Sequence, residues 1–285
     1  MINVLVTGAN SQLANCIKDV ESLFPTLNII YTNSIELNVC ETNQVNDFFK
    51  NNRIHYCVNC SAYTAVDKAE EEKDKAFNVN ATGPKNLALA CRTNNTELIH
   101  ISTDFVFDGE GDRPYTEDNQ VNPINVYGKS KLEGEKEITQ ILTKYFIIRT
   151  SWLYSEHGNN FLKTMLRLSS EKQELNVVSD QSGTPTYAKD LAKVILEIIS
   201  SGNTNYGIYH YSNEGVATWY EFAKAIFNLS NIKIKISPIK AINYLTPASR
   251  PSYSVLDKTK IKQNMKLEIP QWEESLQKAL NNLNG

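Results

Sequence analysis

Over its first 150 residues the chain alternates short apolar runs with amphipathic stretches, and this alternation limits the fold more than any other feature. Ile2–Thr7, Asn28–Tyr31, Tyr56–Cys60, Glu97–Ser102 and Tyr145–Thr150 read as strands. Ser11–Leu23, Glu41–Asn51, Asp67–Asn94 and Tyr127–Leu142 read as helices between them, the third broken near Lys73 or at Gly83-Pro84. Apolar strands separated by helices imply a parallel sheet covered on both faces. Right-handed crossovers then favour a doubly wound α/β fold.

After Ser151 the pattern loosens. Helices are expected over Asn160–Leu168, Ala188–Ser200, Thr218–Leu229 and Trp272–Leu283, with short strands at Leu175–Val178 and Gly207–Tyr211. Ala241–Tyr253, with Pro247 and Pro251, reads as an irregular loop. The expected organisation is a Rossmann-type dinucleotide-binding domain over residues 1–152, with later pieces near 187–212. A smaller C-terminal substrate-binding lobe takes up 153–285.

A net charge of −3 with no basic run argues against nucleic acid or an anionic membrane as partner. No apolar stretch approaches the length of a membrane span. Five scattered cysteines, and a strand that begins at Ile2 with no signal-peptide pattern, predict a cytoplasmic protein. Cys57 and Cys60 lie three apart in a strand and so point to opposite faces. No second Cys or His pair completes a site, and neither metal nor redox work is expected there.

The chemistry concentrates in Tyr127-Gly128-Lys129-Ser130-Lys131, which follows Ser102-Thr103-Asp104. Tyr127 and Lys131 share one helix face, which sets an ammonium beside a phenol. Thr103, at the end of a buried strand, can hold the carbonyl oxygen that the phenol protonates. Together the three residues describe a reductase site, whereas the Tyr/Lys pair alone would equally describe an exposed helical pair.

At the other end, Gly8-Ala9-Asn10-Ser11-Gln12-Leu13-Ala14 links the first strand to the first helix, where a dinucleotide fold carries its glycine loop. Only Gly8 keeps a glycine; Ser11 and Ala14 hold the later places. The helix N-terminus still offers free amides to a pyrophosphate. The second strand ends in Tyr31-Thr32-Asn33-Ser34, with neither carboxylate nor arginine. Nothing there repels a 2′-phosphate, so NADPH is expected, with NADH open through Asn33.

Several runs in order resemble the dTDP-4-dehydrorhamnose reductase family of extended short-chain dehydrogenase/reductases. They are Asn59–Glu70, Ser102–Gly109, Asn125–Leu132, Arg149–Trp152, Gly158–Phe161, Asp180–Thr186, Thr246–Pro251 and Pro270–Trp272. The resemblance implies reduction of the C4 ketone of a nucleotide sugar by NAD(P)H, as the final step of dTDP-L-rhamnose biosynthesis. Tyr127 would donate the proton, Lys131 would bond the nicotinamide ribose, and Thr103 would hold the C4 oxygen. Ser11, Gln12 and Leu13 would contact the pyrophosphate, and Ala62, Tyr63 and Thr64 would line the cofactor. Gly8, Asn33, Asn38 and Val39 complete the implied cofactor set. Asp104 would neighbour the substrate, with a strand-end cap as its alternative. Trp152 would lie against the sugar. Arg250 would reach the diphosphate, unless it forms a surface ion pair.

One departure bears on assembly. Some family members bridge subunits with Mg²⁺ held by glutamates, and the matching places here are Cys16, Lys189 and Glu273. Two carboxylates are missing and Lys189 repels a cation, so no metal requirement and no Mg²⁺-bridged dimer are expected; an unbridged homodimer stays open. Another sugar-nucleotide reductase, epimerase or dehydratase of the same fold is the second reading. A non-catalytic regulatory subunit is the third.

Overall fold

A computed structural model describes residues 1–284. Six parallel strands form the central sheet: Ile2–Thr7, Leu27–Thr32, Tyr56–Asn59, Glu97–Thr103, Tyr145–Thr150 and Gly207–His210. Numbered along the chain, they lie side by side in the order 2-1-3-4-5-6. The chain therefore reverses its winding between Ile2–Thr7 and Tyr56–Asn59, and the loops leaving those two strands part to open a crevice.

Each face of the sheet carries its own core. Val4, Val6, Val58 and Ile148 point to one side, where helices Gln12–Val20 and Ala188–Ser200 pack on them. Leu5, Cys57, Leu98 and Ile147 point to the other, under helices Thr42–Asn51 and Gly83–Asn94. This is the period-2 alternation of a doubly covered strand. It also sends Cys57 and Cys60 into different cores. All five cysteines are free.

A third core, built on Tyr154, Leu162, Phe222, Trp272 and Leu276, belongs to the lobe after Ser151. There Glu174–Val178 pairs in parallel with Lys235–Ile239, a strand that the sequence reading missed. Helices Phe161–Glu171, Trp219–Leu229 and Trp272–Asn284 cover this lobe. The helical stretch expected over Asp67–Asn94 breaks between Ala69 and Lys73, at the first of the two expected places, and passes through a π-helical turn at Asn78–Thr82. Gly83-Pro84 instead opens the helix Gly83–Asn94, where proline is tolerated in the first turn. No described helix is long and apolar enough to cross a membrane.

Candidate active site

The crevice is a cavity of about 890 Å³ that runs from the turn after the first strand to the lobe. Gly8 has φ 69°, and a Cβ there would lie 2.8 Å from the Cys60 carbonyl carbon. Only glycine makes this turn while letting the loops after the first and third strands touch. Ser11 then caps helix Gln12–Val20, its Oγ accepting from the Ala14 amide at 3.2 Å. The hydroxyl oxygen expected at a phosphate thus already has a structural role. The amides of Gln12 and Leu13, in the first turn, have no intrahelical acceptor and line the cavity. The Gln12 side chain is held elsewhere: its Nε2 donates to the Leu153 carbonyl and its Oε1 accepts from Asn160.

Further along, the wall is built from Asn33, Asn38, Val39, Ala62 and Thr64. Asn33 Oδ1 accepts from the amides of Ile35 and Glu36 and so closes its own turn. The one carboxylate nearby, Glu36, accepts from the Asn33 amide and does not line the cavity. Tyr63 lies between two of these wall residues. Its backbone is clamped by the buried Asn80 amide, and its phenol turns away to donate to Glu72, so it is not part of the wall.

Helix Val126–Ile141 carries the reactive pair. Asn125 caps it by accepting from the Gly128 amide, and the Val126 amide donates to Glu70. A Cβ on Gly128 would sit 2.2 Å from the Phe105 carbonyl oxygen, so only glycine lets this helix settle onto the end of the fourth strand. That close approach brings Tyr127 and Lys131 into the cavity with Thr103 and Asp104.

The electrostatics differ from expectation. Burial pushes the Tyr127 phenol up to about 12, with the Asp104 charge adding to it and a Thr103 hydrogen bond opposing. Lys131 is itself depressed to about 8, by burial first. Lys131 is not among the groups that move the phenol in the protein alone. Thr103 Oγ1 donates to Asp104 Oδ1 at 3.0 Å. Asp104 is 3% exposed, its Oδ2 has no hydrogen-bond partner, and burial raises it to about 6. Thr150 Oγ1, also on the cavity wall, is a second buried oxygen without a partner.

At the lobe end, Trp152 lines the cavity in the left-handed conformation, φ 46°, and stacks on Trp219 with ring centroids 3.5 Å apart. Arg250 lines the cavity as well, but its guanidinium pairs in bidentate fashion with Asp67, at 3.0 and 2.8 Å. Both the cavity role and the ion-pair alternative thus find a physical basis. Trp219 also lines the cavity, as do Thr150 and Gly158-Asn159, which belong to the resembling runs but carry no implied site role. A smaller hollow of about 540 Å³ lies against Glu71–Lys75 and holds only a solvated charged turn.

Around Cys16 and Lys189, two of the places that the resemblance assigns to a bridging metal, the side chains bond one another. Lys189 Nζ lies 3.1 Å from Asp19 Oδ2 and 3.3 Å from Glu156 Oε1. Cys16 is fully buried and its thiol is pushed up to about 12, by burial above all. Cys16, Asp19 and His157 bring three donor atoms within 4.8 Å of one another. The carboxylate oxygens there, of Asp19 and Glu156, are engaged by the Lys189 ammonium, and a thiol and an imidazole are not the oxygen ligands that Mg²⁺ demands.

A single cavity joins the turn after the first strand to a Thr/Tyr/Lys cluster, the arrangement of a nicotinamide-dependent short-chain reductase. The profile described as RmlD substrate binding domain matches residues 2–284. A dTDP-4-dehydrorhamnose reductase of Aggregatibacter actinomycetemcomitans is 38% identical over 97% of both chains. A crystal structure of a dTDP-4-dehydrorhamnose reductase from Clostridium acetobutylicum superposes with TM-score 0.96 at 42% identity, over 100% of each chain. One from Bacillus anthracis, in complex with NADP, gives TM-score 0.95 at 40% identity, over 99% of this chain and 100% of that one. The chain belongs to the dTDP-4-dehydrorhamnose reductase family.

Proposed function

We propose that the protein reduces the C4 ketone of dTDP-4-dehydro-β-L-rhamnose to dTDP-β-L-rhamnose. The observation that carries this is the meeting of Thr103, Tyr127 and Lys131 in the cavity that Gly8 and the Gln12–Val20 helix open. Residues 1–152, with the return over 187–212, would hold the dinucleotide; the remainder of 153–285 would hold the sugar.

A nicotinamide cofactor supplies the hydride in such a site. The Gln12 and Leu13 amides would take its pyrophosphate, and Lys131 its ribose hydroxyls. Thr103 Oγ1 would turn from Asp104 to the C4 oxygen and stabilise the negative charge that grows there. Tyr127 would deliver its proton to that oxygen; a phenol near 12 is still far more acidic than a sugar hydroxyl, so the transfer runs downhill. Trp152 would lie against the sugar ring and Arg250 at the diphosphate, sharing its fork with Asp67. Since no carboxylate faces the cavity at Asn33, NADPH is the expected cofactor, and a far higher kcat/KM with NADH would refute that choice. Activity should survive EDTA, and any homodimer would form without Mg²⁺.

A buried acid beside Thr103 also suits a dehydratase or epimerase of the same fold. Purified protein given NADPH and dTDP-4-dehydrorhamnose decides between them. A reductase consumes NADPH mole for mole, whereas a dehydratase or epimerase recycles it and leaves the nicotinamide absorbance unchanged.

A further inference from the structure

Behind the cavity a buried polar chain ends on Lys131. Thr7 Oγ1 donates to Asn59 Oδ1 at 2.8 Å, and the Ser61 amide donates to the same oxygen at 3.1 Å. The backbone amide can only donate, so it fixes which end of Asn59 is the oxygen. Asn59 Nδ2 therefore faces His100 Nδ1, at 3.0 Å, as a donor. His100 is wholly buried, and desolvation above all lowers its pKa well below the ordinary range, so the ring is neutral. A neutral ring that accepts at Nδ1 carries its proton on Nε2. That N–H faces Lys131 Nζ at 3.2 Å, while Nζ donates to the Ile101 carbonyl at 2.6 Å. An ammonium has no lone pair with which to accept the Nε2 proton; an amine has one.

We propose that His100 is a positioning residue that shifts Lys131 towards its neutral amine in the free protein, because Asn59 locks the ring with its proton on Nε2. The other groups facing Lys131 are the Cys60 thiol, the Glu135 carboxylate and the Tyr127 phenol. Burial pushes the thiol up, so it stays uncharged. Glu135 favours the ammonium, but it is already engaged by Arg149 and Ser102. Desolvation opposes the charge in the same sense as His100, bringing Lys131 to about 8. If Lys131 serves the nicotinamide ribose, as the proposed function has it, the amine becomes an ammonium on engaging those hydroxyls. Cofactor binding then takes up a proton, and affinity falls as pH rises above about 8.

Nitrogen-15 imidazole spectra, with His100 assigned against His100→Gln, should show a bare Nδ1 and a protonated Nε2. Carbon-13 spectra of lysine Cε, with Lys131 assigned against Lys131→Met, should show a titration near pH 8. Asn59→Asp presents a carboxylate to Nδ1, which reverses the tautomer and should move the Lys131 midpoint up by at least one pH unit. A proton on Nδ1 in the unaltered protein, or a Lys131 midpoint at the ordinary lysine value, overturns the proposal even if the variant does not fold. Calorimetric NADPH titrations at pH 8 in buffers of different ionisation enthalpy should show proton uptake that Asn59→Asp at least halves. The spectra need no turnover, so a protein that failed as a reductase would still pass or fail them.

Discussion

The two ends of the cavity are built on opposite terms. At the nucleotide end several polar side chains already have partners within the protein. Ser11 caps a helix, Gln12 bonds Leu153 and Asn160, and Asn33 closes its own turn. Such a wall binds mainly through backbone amides and shape. At the reaction end the groups are buried and held away from their ordinary acidities: Tyr127 high, Lys131 low, Asp104 high with an unpartnered oxygen. Buried groups in that condition cost stability and respond strongly to a new charge, which is what a site of proton transfer needs. Substitutions at the reaction end should therefore change rate and pH behaviour, and those at the nucleotide end should change affinity and folding by smaller amounts.

The largest effect expected is at Tyr127. Tyr127→Phe should lower kcat by roughly 10²–10⁴ with NADPH binding intact, the usual worth of a positioned acid; a normal kcat would erase the contrast between the two ends. Asp104→Asn should trade function for stability. The folded acid titrates near 6, above its unfolded value, so its ionisation costs stability as pH rises. Relative to the parent, the variant should gain on the order of 3 kcal/mol between pH 4 and pH 8, most of it below about pH 6, as urea unfolding at the two pH values would measure. No widening of the gap between those pH values would mean that the buried carboxylate is not strained. Arg250→Ala should raise KM for the sugar nucleotide about tenfold with kcat little changed, roughly what one charge-assisted phosphate contact supplies. An unchanged KM would leave Arg250 as a partner of Asp67 alone. Ser11→Ala should be smallest at the active site and visible mainly in unfolding, at about 1 kcal/mol for a lost helix cap. A loss in NADPH affinity much larger than that would show that the hydroxyl does bind phosphate.

Local patterning made the sheet and the reactive residues readable. Ile2–Thr7, Tyr145–Thr150 and Ala188–Ser200 fall where periodicity puts them, because their apolar faces have one burial solution. The Tyr127/Lys131 pair was legible because helix geometry fixes what lies four residues on. Contacts between distant segments were not. Nothing local says that Arg250 meets Asp67, 183 residues earlier, or that Trp152 stacks on Trp219. Nor does anything local say that Asn80 clamps the Tyr63 backbone, 17 residues earlier, between the wall residues Ala62 and Thr64. Lys235–Ile239 was missed because Pro238 and flanking lysines obscure a short strand at the edge of a two-stranded pair. His100 left one signal that was passed over: a titratable side chain inside an otherwise apolar buried strand, three residues before Thr103.

The most direct test of the whole account follows a single atom. NADPH carrying deuterium at nicotinamide C4, in each of its two stereoisomers, is given to the protein with dTDP-4-dehydrorhamnose, and the product sugar is read by NMR. One isomer should place one deuterium on C4 of dTDP-L-rhamnose and leave C5 and C6 unlabelled. Label at any other carbon, or a product with no deuterium from either isomer, would contradict hydride delivery to the ketone held by Thr103 and Tyr127.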